Sequence, residues 1–290
     1  MDKINKEDLI PKLQSGDKAY DYGVFDNIDE KSAKQSVRQI LEYEKNYPYS
    51  SITKEIPHIK LDIPEFDYKR AEVEVAEAIG SAFIPINMVT TAETIENGPN
   101  YHRHWASRAL INYTPHSHLW FNKQSKECAT RDMPQYQPTA SSIIESTSRL
   151  NLEDMKYYKT DLYNRMPYIT DYIFKNICDE SYRCFIWKIG KDGYLNWHNH
   201  ARLPWHTDVI ANDKAIVHIP IVTSPDIRML VRMDDKTIYS EYYEPGNVYV
   251  FNNIKDHAVE NNSSIDRLHA VVFVPYHDKK FINLLKRSIA

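Results

Sequence analysis

Residues 247–274 read NVYVFNNIKDHAVENNSSIDRLHAVVFV. Two apolar runs, NVYVFNN and RLHAVVFV, flank the short segment HAVEN, and polar clusters separate the three. Short runs rich in Val, Tyr and Phe, bounded by Asn, Asp and Ser, are the pattern of strands joined by turns. The same texture reaches back to Tyr182 through YRCFIWKI (182–189), KAIVHIPIV (214–222), IRMLVRM (227–233) and TIYSEYYE (237–244). Lys191–Asp192–Gly193, Ser224–Pro225–Asp226, Asp234–Asp235 and Pro245–Gly246 punctuate them. Roughly seven or eight antiparallel strands at this spacing predict a sandwich or barrel. The expected fold is mainly β with flanking helices, built on a double-stranded β-helix of the jelly-roll or cupin-like kind.

One residue is out of keeping with its strand. Arg267 opens the apolar run RLHAVVFV, and a cation entering such a strand is costly unless it is paired. A guanidinium can grip a carboxylate with two parallel hydrogen bonds, so the expected partner is a carboxylate ligand. Upstream stands Leu203-Pro-Trp-His206-Thr-Asp208. In extended chain, residues two apart face the same way, so His206 and Asp208 can present an imidazole and a carboxylate to one point. His257, after the Pro245–Gly246 turn and one further strand, is the natural third ligand. Two histidines and one carboxylate on one face of an octahedron are the donor set of non-haem iron(II) oxygenases.

Taken together, His206-x-Asp208, His257 and Arg267 resemble the iron(II)/2-oxoglutarate dioxygenase superfamily. Within it, FIWKIGKDGYLNWH, WHTD, VHIPIV, EPGNVYVFNN and DHAVENNSSIDRLHAVVFV resemble the aspartyl/asparaginyl β-hydroxylase branch, which includes free-proline hydroxylases. The matches span about Tyr182 to Val274, with a weaker echo back to about residue 104. The resemblance implies that His206, Asp208 and His257 hold Fe(II), that Arg267 anchors 2-oxoglutarate, and that His218 touches its carboxylate. It also implies oxidative decarboxylation of 2-oxoglutarate with dioxygen, coupled to hydroxylation of an unactivated C–H bond. The substrate would be a free amino acid, an amino-acid-like small molecule or a peptidyl side chain. The retained Asp208 favours hydroxylation over chlorination. Two alternatives stand beside this reading: a cupin-like metalloenzyme that does not use 2-oxoglutarate, and a non-catalytic sensor of 2-oxoglutarate or iron.

Other histidines compete for the same chemistry. His198-x-His200 is an alternative metal pair, disfavoured because no carboxylate follows two residues on. His269 shares a strand face with Arg267 and reads as a core histidine, with a place behind the site as the alternative. His277 reads as a surface residue. The cluster Tyr101-His102-Arg103-His104-Trp105 with His116-Ser117-His118 reads as polar loop. A second metal site or substrate pocket is the sharper alternative, with Arg103, Arg108, Trp120 and Arg202 as candidate substrate contacts.

The rest of the chain bounds these readings. It has 290 residues, 42% hydrophobic and 26% charged, with 36 basic against 40 acidic residues for a net charge of −4. Bulk positive charge for nucleic-acid binding is absent. The cysteines Cys128, Cys178 and Cys184 have no regular spacing, which fits buried thiols in a reducing compartment. MDKINKEDLIPKLQ has no apolar signal core, and no apolar run approaches the roughly 20 residues of a membrane span. A cytoplasmic protein with no membrane or nucleic-acid partner is expected. A single domain over 1–290 is expected, with 1–100 mainly helical and 104–276 forming the β core. Glu30 to Tyr47 has helical apolar spacing, Arg70 to Ala82 is ambiguous because EVEV also alternates, Ala109 to Tyr113 reads as a strand, and Pro167 opens a helix over about Tyr168 to Ile177. Phe121 to Pro138 reads as a long polar loop.

Overall fold

The computed structural model describes residues 1–14, 20–21, 45, 55–85, 103–112, 157–199, 202–203, 206–210 and 214–290; for 202–203 and 206–210 it describes the backbone. All seven runs expected as strands over 182–275 are strands. They are β7 (Arg183–Asn199), β10 (Lys214–Val222), β11 (Ile227–Arg232), β12 (Ile238–Glu241), β13 (Tyr249–Phe251), β14 (Asp256–Asn261) and β15 (Arg267–Pro275). These labels count four earlier strands that frame the core, β1 (Asp2–Ile4), β2 (Tyr20–Asp21), β3 (His58–Lys60) and β4 (Ile84–Pro85). They count also β5 (Arg103–Asn112), β6 (Tyr158–Lys159), and the hairpin pair β8 (Arg202–Leu203) and β9 (His206–Ile210).

The sheet order is β1-β12-β11-β14-β7-β15-β10-β13-β3. This single path folds into two layers because β7 serves both. Its first part, 183–189, pairs with β15, and its last part pairs with β14 through Tyr194, Leu195 and His198. Four-strand layers β12-β11-β14-β7 and β7-β15-β10-β13 therefore face each other, the architecture of a jelly roll. The tripeptide Lys191–Asp192–Gly193 predicts a turn. The strand instead runs through it, and Asp192 takes the left-handed region at φ 54°. Asp and Gly tolerate that conformation, so the tripeptide bends the strand from one layer to the other without breaking it.

The strands sort their residues by parity. Cys184 and Ile186 on β7, Ala215, Val217, Ile219 and Ile221 on β10, and Ala270, Val272 and Val274 on β15 face outward into one apolar cluster. Three helices cover that face: α2 (Tyr68–Ala78), α3 (Pro167–Asn176) and α4 (Lys279–Ile289), after a short α1 (Pro11–Gln14). The ambiguous EVEV segment is helical. Ala71, Val75 and Ala78 are buried at helical spacing while Val73 is exposed. Asp67 caps α2 by accepting from the Arg70 amide, and Gly80 closes the turn after it at φ 56°. Pro167 begins α3 as expected, and Asp278 caps α4 by accepting from the Phe281 amide.

The opposite parity faces inward. Phe185, Trp187, Ile189, Ile216, Met229, Val231, Phe251, Val259, Val271 and Phe273 form the inner cluster, joined by Trp105, Tyr243 and Tyr249. The N-terminal segment straps the other layer from outside. β1 pairs with β12, Leu9 and Leu13 pack on Trp197 and Leu230, and the Trp197 indole N–H donates to the Leu13 carbonyl at 3.0 Å. Fully buried Glu260 on β14 accepts from the Ile10 amide at 3.1 Å and pairs with Arg228. Among the described residues of 1–100, α2 is thus joined by strands that extend the sheet at both edges. The expected helix at Glu30 to Tyr47 lies outside the described residues except for Lys45, as do the stretch Phe121 to Pro138 and Cys128. No helix among the described residues is long and apolar enough to cross a membrane.

Candidate active site

The inward faces of β10 and β15 carry the polar residues of the site. Arg267 and His269 alternate with outward Leu268 and Ala270, and His218 alternates with Val217 and Ile219. Arg267 is 2% exposed. Its Nη2 donates to Nδ1 of His269 at 2.8 Å, which fixes the His269 proton on Nε2. His218 lies beside His269, with their Nδ1 atoms 3.4 Å apart. Nη1 of Arg267 has no hydrogen-bond partner among the described residues, and no acidic side chain there pairs with the guanidinium. Burial without a counter-charge lowers the Arg267 pKa to about 9, opposed by the nearby Tyr243 hydroxyl. Burial also pushes His218 and His269 far below the usual histidine range, with the Arg267 charge as the next cause. Both imidazoles are therefore neutral, and the cation stands among groups that cannot neutralise it.

Two residues that sequence reasoning passed over complete this end. Tyr243 stacks flat on Tyr249 at 4.2 Å between ring centres, and its hydroxyl is 2.9 Å from Nδ1 of His58 on β3. Burial raises the Tyr243 hydroxyl well above its ordinary range and lowers His58 to about 3. No signal in the sequence marked either residue, because each reaches the site from outside the strands that carry the motif. Phe251 and Trp187 pack edge-on to His218 and wall the site from water.

The expected ligand His257 stands on β14. His257 is 1% exposed and donates from Nδ1 to the Lys255 carbonyl at 2.8 Å, which leaves the lone pair on Nε2, the form that binds a metal. Phe251 packs edge-on to His257 and also touches His218, so one ring separates the two ends. The motif between His257 and Arg267 has a structural role. Buried Asn261 donates to the carbonyls of Ile189, Gly190 and Ile265, and Ser263 bonds to its Oδ1. This amide ties the 262–266 loop to the bend in β7 and so sets where Arg267 enters the sheet.

His206 and Asp208 lie on β9, which pairs with β8 in a separate two-stranded sheet. Their side chains lie outside the described residues, as does His200. The structure thus brings Arg267, His269 and His218 together and places His257 one aromatic ring away. Among the described residues, no group of three or more His, Cys, Asp or Glu side chains is spaced to hold a metal. The residue in register with His257 is His198, whose ring centre is 4.1 Å away.

No family model and no curated protein matches the chain. Solved structures do. An oxidoreductase of the 2OG-Fe(II) oxygenase family from Burkholderia pseudomallei aligns over 80% of this chain and 91% of its own, at 13% identity and a TM-score of 0.41. A Pseudomonas putida prolyl-4-hydroxylase aligns over 78% and 98%, at 11% identity and a TM-score of 0.37. A cupin domain from Bordetella pertussis aligns over 33% and 82%, at 17% identity and a TM-score of 0.24. The fold is read from the strand register itself.

The remaining candidates with described side chains fall away from this site. Arg108 pairs across from Ile186, on the helix-covered face, and donates to the Ala82 carbonyl at 2.7 Å. His104 is exposed, at φ 57°, with Nδ1 3.0 Å from the Lys191 carbonyl. His277 sits at the end of the last strand, 3.4 Å from Glu180. Cys178 and Cys184 are buried free thiols whose pKa burial pushes up, so neither is a nucleophile. His102, His116, His118 and Trp120 lie outside the described residues, and Arg103 and Arg202 are described in backbone only.

Proposed function

We propose that this protein is an iron(II)- and 2-oxoglutarate-dependent hydroxylase of the aspartyl/asparaginyl β-hydroxylase and proline-hydroxylase-like branch. Its substrate would be an unactivated C–H bond in a free amino acid, an amino-acid-like small molecule or a peptidyl side chain. One observation carries the reading: Arg267 is a fully buried guanidinium with an open Nη1 and no acidic partner among the described residues. A buried cation of this kind is costly until an anion reaches it. A dicarboxylate that delivers one end to Arg267 supplies the missing charge, and 2-oxoglutarate is such a molecule.

Residues suited to both groups are present in the chain. His257 offers a neutral Nε2 lone pair, and the HTD motif on β9 supplies His206 and Asp208 as the other two ligands. Iron(II), when bound, supplies the activation of dioxygen that couples co-substrate decarboxylation to substrate oxidation. The chain does the rest. Arg267 binds the distal carboxylate, and His269 holds the guanidinium in orientation through Nδ1. His218, kept neutral, adds a polar contact without repelling the cation. The aromatic wall of Trp187, Phe251 and Phe273 excludes water, which strengthens each charged contact inside.

The test is turnover with iron(II), ascorbate, 2-oxoglutarate and a panel of amino acids and peptides. Succinate in proportion to a product heavier by one oxygen atom is expected. Absence of succinate, both with the panel and as slow uncoupled background, contradicts the reading. A cupin-like chemistry without 2-oxoglutarate would leave Arg267→Ala active.

A further inference from the structure

We infer that His58 is a positioning residue of the Arg267 end of the site: it competes with the co-substrate for the single hydroxyl proton of Tyr243 and so limits how tightly the diacid is held. This rests on the 2-oxoglutarate reading and adds to it a control on affinity, supplied from outside the strands that carry the motif.

Three observations carry the inference. The first is placement. His58 stands on β3, in register with Phe251 on β13, and its ring meets Tyr243 edge-on at 5.7 Å between centres. The Tyr243 ring in turn lies 5.9 Å from that of His218 and 6.3 Å from that of His269, nearly parallel to the latter at 19°. The phenol thus stands between His58 and the residues around Arg267, and all of them are buried.

The second is the bond itself. The Tyr243 hydroxyl lies 2.9 Å from Nδ1 of His58. A phenol has one proton to donate. The Arg267 charge repels a proton aimed at it and draws the oxygen lone pairs instead, so the proton turns to Nδ1. Burial keeps His58 neutral, and the Tyr239 carbonyl beside its ring favours a proton on the other nitrogen, Nε2. Nδ1 is then the acceptor.

The third is the gap beside the guanidinium. Nη1 of Arg267 has no hydrogen-bond partner among the described residues, and the Tyr243 hydroxyl is near the same group. A carboxylate that reaches Nη1 offers the phenol a second, charged acceptor. Taking the proton leaves the Nδ1 lone pair of His58 buried and unpaired, a cost that offsets much of the new bond. Succinate, the diacid product, presents the same distal carboxylate, so a restrained grip on that group favours its departure.

The experiment is calorimetric titration of 2-oxoglutarate into the anaerobic, metal-loaded full chain. His58→Phe removes the competing acceptor and is expected to tighten binding by about three- to tenfold. In a Tyr243→Phe background the same change should have no effect, because there is no proton to compete for. His58→Asn keeps an acceptor, Oδ1, at the place of Nδ1 and should bind as wild type does. His58→Leu replaces the phenylalanine variant if that chain does not fold. A merely structural His58 would leave affinity unchanged or weaken it when replaced, and either result overturns the inference. Tightening that persists without the Tyr243 hydroxyl, or that His58→Asn shows in full, overturns it as well. Each of these results leaves the proposed function standing, since wild type still binds. If wild type binds no 2-oxoglutarate, the proposed function falls and this inference falls with it.

Discussion

The two faces of the β10–β15 strand pair come from alternate residues of the same two segments, yet they solve opposite problems. Outward, Ala215, Val217, Ile219, Ala270, Val272 and Val274 meet helices α2 to α4 in a continuous apolar layer. Inward, the same strands present His218, Arg267 and His269 among aromatic rings, with the cation left short of a counter-charge. The first face supplies stability through burial. The second holds a charge in an apolar setting, which is useful only if a ligand completes it. A sheet with period-two alternation can do both at once because neither face constrains the residues of the other.

Breaking the outward face should have the largest effect on stability. Phe281, fully buried where α4 seals the sheet, should cost about 3–5 kcal/mol when truncated to alanine. Urea unfolding measures this, and a loss under about 1 kcal/mol would mean that α4 is not part of the core. The inward face should respond in the opposite sense. Arg267→Met removes an uncompensated buried charge and should raise the stability of the ligand-free protein by about 1–3 kcal/mol. The same variant should lose co-substrate protection against unfolding. A destabilised Arg267→Met chain would imply that the guanidinium is already paired.

Smaller effects sharpen the contrast at its margins. Glu260→Gln weakens the contact to Arg228 and the N-terminal strap, for a cost of about 1–3 kcal/mol. Limited proteolysis should then cut near residue 10 faster than in wild type. A separate lever on the inward face is pH. His58, His218 and His269 all have folded pKa values below the ordinary value near 6.5. The unfolded chain therefore binds protons that the native state refuses. Stability is full above about pH 6.5 and declines as pH falls below it, down to the folded values, about 3 for His58. A urea midpoint that rises between pH 7 and pH 5 would contradict this.

How much of this was legible beforehand differs from residue to residue. The seven strands were readable because Val, Ile and Tyr runs alternate with turn chemistry, and their register follows from pairing order. Arg267 was readable because a cation opening an apolar strand has no other rationale. The bend at Lys191–Asp192–Gly193 was misread as a turn, since the same tripeptide serves a strand that changes partners, and only the pairing of β7 with both β14 and β15 separates the two. His58 and Tyr243 were invisible because they approach from chain segments with no spacing relation to the motif. His198 was visible only as a weaker rival to the HTD pair. Its register with His257 across β7 and β14 is a pairing that sequence spacing does not encode.

The central claim is that the open guanidinium of Arg267 receives a carboxylate of 2-oxoglutarate. Calorimetric titration of 2-oxoglutarate into anaerobic, metal-loaded wild-type protein and Arg267→Gln measures it directly. The account predicts one site in wild type and at least a hundredfold weaker binding in the variant, about 3 kcal/mol. Equal affinity in the two proteins, or no binding by wild type, would contradict it.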